Sequence, residues 1–157
     1  MFSRFTTVPN LFHLLKINSF DKVSVFNCFK MLNIVINSSS CTKALAHKES
    51  VRMLEALIFK TFFSKSNDFS MRLCGLALYS DLSIKLGNTK YSERLRELVE
   101  HEMSEASILN KKECEQRLGA LVGLIRKFIL RDEVGHTTQK FVELIQSVME
   151  RVSKTSV

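Results

Sequence analysis

A chain with one proline, Pro9, and five glycines in 157 residues has almost none of the punctuation that tight turns and hairpins require. Sheet-rich folds need such residues at nearly every reversal, so this scarcity favours helix from the outset. The rest of the composition agrees. The chain is 45% hydrophobic and 25% charged, which fits a globular body with a core of real size. It carries no tryptophan, but its twelve phenylalanines and six methionines suit helix-on-helix packing.

Periodicity then locates the helices, because apolar residues recur at spacings of three and four. Segment 20–36 places Val23, Phe26, Phe29, Leu32 and Ile36 on one face, with Ser19 as a cap and Asp21 in the first turn. It stops at the polar run Asn37 to Ser40, and a short helix is expected over 41–46. Segment 50–63 carries Val51, Leu54, Leu57, Ile58, Thr61 and Phe62. After a polar loop ending at Asp68, segment 70–86 carries Leu73, Cys74, Ala77, Leu78 and Ile84, closed by Gly87-Asn88 as a helix stop. Segment 91–106 sets Tyr91, Leu95, Leu98, Val99 and Met103 against Glu93, Arg94, Arg96, Glu97 and Glu100. Asn110 with Glu113 reads as a capping pair for segment 111–130, whose stripe is Leu118, Leu121, Val122, Ile125 and Phe128. Residues 132–135 make a turn, segment 137–152 supplies Phe141, Leu144, Ile145, Val148 and Val152, and Ser153 to Val157 are expected to fray. The expectation is an all-α chain of six or seven helices, with an N-terminal segment over 1–18 and a helical domain over 19–153. Spacing alone leaves bundle and solenoid open, since no clean repeat of about 40–47 residues stands out.

No phosphate-binding glycine loop, dinucleotide fingerprint, zinc-protease motif or nucleophile elbow is present. The reading is therefore a non-enzyme with no cofactor and no metal. Weaker constellations exist. Cys41 with His47, or Cys28 with His13, would make a nucleophile pair only if the fold joined them. Glu97, His101 and Glu105 share a helix face at metal-ligand spacing, but a solvated charged face has the same pattern. Asp81 lies on an otherwise apolar stripe and calls for an inter-helix cap or an arginine partner if buried. Arg117 precedes Gly119, Ala120 and Gly123, small residues that a helix tolerates where a neighbour approaches closely, which would set the arginine beside a groove.

The formal charge is +7, from 23 Lys+Arg against 16 Asp+Glu, and it selects for an acidic partner. Peptide, nucleic acid and anionic membrane all qualify. The cations, among them Lys43, Lys48, Arg52, Arg72, Arg117, Arg126, Lys127 and Arg131, are scattered, so only folding would gather them. Nucleic-acid binding lacks a module signature. No stretch of 18 apolar residues occurs to span a membrane. Four cysteines without a CxxC pair fit free thiols in a reducing compartment. Residues 1–20 hold Arg4 and Lys16 and no acid, which is similar in composition to a mitochondrial presequence; a first helix over Asn10 to Ile17 is the rival reading.

Three stretches carry a family likeness. Residues 32–51, LNIVINSSSCTKALAHKESV, place Asn33 in an apolar helix, then a small-residue turn, Lys43, and the step Lys48-Glu49-Ser50. Residues 66–81, SNDFSMRLCGLALYSD, carry Asn67, Arg72 and an alanine/leucine series. Residues 115–125, EQRLGALVGLI, place Arg117 before a leucine-rich helix. In this order they resemble the PUL domain, the armadillo-like C-terminal domain of phospholipase A2-activating proteins. Asp81-Leu82 depart from the Asn-Tyr usual there, the chain is shorter than the family domain, and the WD-repeat and ubiquitin-binding regions are absent. The resemblance implies a right-handed armadillo-like solenoid, here partial. It also implies an adaptor, cytoplasmic or nuclear, that serves ubiquitin-dependent turnover by binding the acidic C-terminal tail of a valosin-containing-protein-type AAA ATPase. By that resemblance the contacts are Arg117 first, Arg72 second, with Lys48 and Lys43. A structural scaffold within a larger assembly, or a charge-driven binder of nucleic acid or membrane, is the alternative.

Overall fold

The computed structural model describes residues 22–37, 48–64, 67–131 and 138–155. They form six α-helices and, among the described residues, no strand: α1 (Lys22–Asn37), α2 (Lys48–Phe62), α3 (Phe69–Leu86), α4 (Thr89–Ser107), α5 (Lys111–Arg131) and α6 (Thr138–Thr155). Each falls within a few residues of the segment that periodicity marks out. At the C-terminal end α6 continues to Thr155, past the point where fraying is expected. The short helix over 41–46, the helix or leader over 1–18, Ser19, Asp21 and the turn at 132–135 lie outside the described residues. The chain divides into two compact units, one ending at Leu86 and one beginning at Gly87.

In the first unit α3 packs against both α1 and α2. Leu32, Val35 and Ile36 of α1 meet Leu54, Leu57, Ile58 and Phe62 of α2 and Leu78 and Leu82 of α3 in one apolar cluster. Phe29 and Phe62 meet edge to face, with ring centroids 6.2 Å apart. The reading of α3 as a helix with one apolar stripe needs correction. Leu73, Cys74, Ala77 and Ile84 are only half-buried, whereas Gly75, Leu76, Leu78, Tyr79, Ser80, Leu82 and Ser83 are buried. A helix set between two others buries a wide arc, so its sequence is apolar nearly all round and shows no single stripe. The Ser80 hydroxyl answers its burial by donating to the Ala77 carbonyl at 3.0 Å.

At Gly75 two helices of this unit approach closely. A Cβ built there falls 2.6 Å from the Phe62 Cβ and 2.9 Å from the Phe63 ring. Only a residue without a side chain lets α3 settle on the C-terminal turn of α2. Beside it, the Tyr79 ring packs edge to face on Phe59 at 5.7 Å and its hydroxyl donates to Glu55 Oε2 at 2.9 Å. Asp68 starts α3, its Oδ1 accepting the Met71 N–H at 3.0 Å.

In the second unit α4 packs against α5 and α6, which also meet each other. Gly87 takes φ +62, the left-handed conformation in which a helix ends and which glycine adopts without strain. Asn88 then begins α4, its side chain accepting the Lys90 N–H at 3.0 Å. The core joins Leu95, Val99, Met103 and Ala106 of α4 to Leu118, Leu121, Ile125 and Phe128 of α5 and Phe141 of α6. Phe128 and Phe141 rings lie 5.3 Å apart. Asn110 caps α5 as the sequence suggests, with Oδ1 accepting the Glu113 N–H at 2.9 Å. Glu102, an acid on the inner side of α4, is 3% exposed. Each fully buried leucine or isoleucine contributes about 1.5–3 kcal/mol and each exposed ion pair about 0.2–1, so apolar packing decides the stability of both units.

Candidate basic binding surface

The described residues that carry the resemblance fall on four of the helices and one loop. Lys48 opens α2 and is exposed, and Arg52 is exposed one turn further along the same helix. Lys43 lies outside the described residues. Arg72 is half-buried in the first turn of α3, and its Nη1 donates to the Asn67 carbonyl at 2.6 Å. Asn67 in turn donates through Nδ2 to the Thr61 carbonyl at 2.7 Å. Asn67 and Arg72 therefore hold the α2–α3 loop against the end of α2, a role visible only once the chain is folded. Arg117 sits half-buried in α5, in the second unit. Within the first unit Lys48 and Arg52 are exposed, as are Lys30, Lys60 and Lys85, while Arg72 is committed in part to its own loop.

Asn33 belongs to another network. The Asn37 side chain at the end of α1 donates to the Asn33 carbonyl at 2.9 Å, to the Asn33 side chain, and to Asp81 Oδ2 of α3 at 3.2 Å. Asp81 is half-buried and makes an inter-helix contact of the kind its position on the stripe calls for, with an asparagine as the partner seen. The departure Asp81-Leu82 from the family pattern thus falls at a helix-packing position.

Among the described residues no close neighbour forms the groove expected beside Gly119 and Gly123. A Cβ built at either glycine meets nothing within 4 Å among the described residues; Gly119 is exposed and Gly123 half-buried. Both lie on the outward side of α5, opposite the buried Leu118, Leu121 and Ile125. The close-approach glycine is Gly75, which the sequence reading did not single out.

Glu97, His101 and Glu105 are all exposed on α4, and no group of three His, Cys, Asp or Glu side chains is placed for a metal ion among the described residues. Cys41, His47 and His13 lie outside the described residues, as does the side chain of Cys28. Burial pushes the Cys74 thiol above its ordinary value, and the nearby Asp68 charge adds to the effect, so this cysteine is held as a thiol rather than activated. Among the described residues no helix is long and apolar enough to cross a membrane.

Surface charge in the second unit is unevenly consumed. Glu93 of α4 pairs with Lys140 of α6 and, at 3.3 Å, with Arg96, which also reaches Glu100 at 2.8 Å. Lys140 above all holds the Glu93 carboxyl below its ordinary value; burial opposes it, and Arg96 adds to the lowering. Arg94 faces Glu97 at 3.7 Å. By contrast Arg126 and Lys127 are exposed on α5 and join no ion pair among the described residues. The sequence holds a signal for this: neither has an acid three or four residues away in either direction. No known protein family, curated protein or solved structure matches the chain.

Proposed function

We propose that this chain is a non-enzymatic, armadillo-like helical module that binds an acidic peptide tail through exposed cations. The PUL resemblance narrows the tail to the C-terminus of a valosin-containing-protein-type AAA ATPase, and the setting to ubiquitin-dependent protein turnover. The observation that carries the reading is the supply of unneutralised positive charge on the described helices. Lys48 and Arg52 on α2, and Arg126 and Lys127 on α5, are exposed and join no ion pair among the described residues. Cations already matched by their own chain have little to offer a ligand, whereas these keep their full attraction for carboxylates. The order of the three family-like stretches along the chain supports Lys43, Lys48, Arg72 and Arg117 as contacts. Arg72 also braces the α2–α3 loop, so its loss weakens the site and the fold together.

The test is fluorescence anisotropy with a labelled acidic C-terminal peptide, run from low to high salt. Binding is expected to weaken as salt rises and to fall about tenfold in the Lys43→Glu/Lys48→Glu variant and in Arg117→Ala. Binding to random-sequence RNA or to phosphatidylserine vesicles, with none to the peptide, would assign the charge to a different partner class.

A further inference from the structure

We infer that the outward face of α5 is a docking surface for an acidic amphipathic helix. This rests on the reading of the chain as a binder of acidic partners, and adds where one such partner sits and what shape it has. Gly119, Gly123, the adjacent pair Arg126 and Lys127, and then Leu130 succeed one another in steps of three or four residues, so they share one side of the helix. Three properties of that side combine. Leu130 is 84% exposed, far more than a leucine at the margin of a core needs to be. Arg126 and Lys127, which flank it one turn back, are exposed and join no ion pair among the described residues, as is true of Lys111 and Lys112 at the start of the helix, whereas Arg94, Arg96 and Lys140 of the same unit are matched by Glu93, Glu97 and Glu100. Along the preceding turns a Cβ at the exposed Gly119 or the half-buried Gly123 meets nothing within 4 Å among the described residues.

Charge complementarity names the partner's chemistry: carboxylates for Arg126 and Lys127, and an apolar side chain for Leu130. The two glycines name its form. A rod can lay its ridge of side chains against a helix surface stripped of its own, and the two axes then approach more closely than ordinary side chains allow. An extended tail gains nothing from the missing side chains. Before Gly119 the exposed Glu115 and Lys112 offset one another in charge, so the net positive charge of the face lies at its C-terminal end, with Arg126 and Lys127. The docked helix therefore places its acids towards the C-terminal end of α5. Two glycines in the interior of an exposed helix also weaken it relative to alanine, and nothing within the described chain uses the space they leave. A partner that does use it accounts for both observations.

The probe is a hydrocarbon-stapled helical peptide about four turns long, with leucines on one face and glutamates beside them. It is compared with the unstapled peptide of the same composition in scrambled order, and with a stapled version carrying lysines for the glutamates. Full-length protein is titrated by calorimetry, and amide shifts are mapped by NMR. The stapled acidic helix is expected to bind with a dissociation constant on the order of micromolar and to shift the amides of Gly119, Gly123 and Leu130. Arg126→Glu/Lys127→Glu, changes to exposed side chains, are expected to weaken it more than about tenfold. Gly123→Leu fills the trough and weakens it similarly, while Gly123→Ala raises the Tm of the free protein through helix propensity. Equal binding by wild type and both variants, or equal binding of the scrambled linear peptide, overturns the inference. If the linear acidic tail binds through Lys48 and Arg117 but the stapled helix does not bind, the α5 site fails while the tail reading stands. If only the stapled helix binds, through α5, the site stands and the tail reading fails.

Discussion

At the scale of single residues, position 75 has the least room for a side chain among the described glycines. Alanine at Gly75 puts its methyl into the Phe62 Cβ, a backbone-proximal atom that cannot swing aside. Gly75→Ala is therefore expected to lower stability by about 1–3 kcal/mol, read as a fall in the midpoint of urea unfolding, even though the same change helps an exposed helix. Asp81 gives a second prediction. Because Asn37 bridges α1 to α3 through it, Asp81→Ala should cost about 0.5–1.5 kcal/mol, and the double change Asn37→Ala/Asp81→Ala should cost less than the two single changes added together. Full additivity would show that the bridge carries no energy. The need for a partner at Asp81 is legible in the sequence because an acid interrupts an apolar stripe. The tightness at Gly75 is not, because a glycine leaves no mark of what lies opposite it. Arg72 shows the same limit: as a residue type it reads as a ligand contact, and only the fold reveals the carbonyl of Asn67 within its reach.

At the scale of helices, the sequence is informative wherever a helix has one wet side. α2, α4 and α5 have such a side. On α2 and α5 the buried sets follow the stripes that spacing picks out, from Leu54, Leu57 and Ile58 to Leu118, Leu121 and Ile125. On α4 Leu95, Val99 and Met103 agree, but Tyr91 and Leu98 are half-buried and Ser92, Glu102 and Ala106 are buried instead. α3 defeats the method because it is enclosed by two neighbours. Helix-to-helix ties are equally invisible, since Glu93 and Lys140 lie 47 positions apart. That tie has a pH signature. The folded carboxyl of Glu93 sits below its ordinary value of 4.5, so its contribution is complete above that value and is lost as pH falls through the folded pKa. Lys140→Met should therefore cost about 0.2–1 kcal/mol near neutral pH, and the gap from wild type should close in acid. A gap that persists when Glu93 is protonated would point to packing by the lysine stem instead.

At the scale of the molecule, the excess of positive charge is the property a partner meets first. With a formal charge of +7, association with an acidic peptide should be fast at low salt and slow sharply as salt is added, with dissociation changing less. Stopped-flow measurement of the two rates separates this steering from contact chemistry. The all-helical class and the basic character are legible in composition alone, because both sum over many residues. Which cations remain available to a ligand is a matter of pairing, and pairing is settled by the fold, except where, as at Arg126 and Lys127, the sequence offers no acid within a helical turn.

The position of Tyr79 has a practical consequence. The chain lacks tryptophan and has two tyrosines, Tyr79 in the first unit and Tyr91 in the second, so its ultraviolet emission comes from one fluorophore per unit. Tyr79 is 1% exposed and hydrogen-bonded to a carboxylate, a setting in which a phenol's emission is quenched, whereas Tyr91 is half-buried beside Lys90. In a Tyr91→Phe background, emission near the phenol maximum should brighten when the first unit opens, and a Glu55→Gln change should brighten the folded state without waiting for denaturant. The protein thus contains an optical gauge of one half of itself that requires no label.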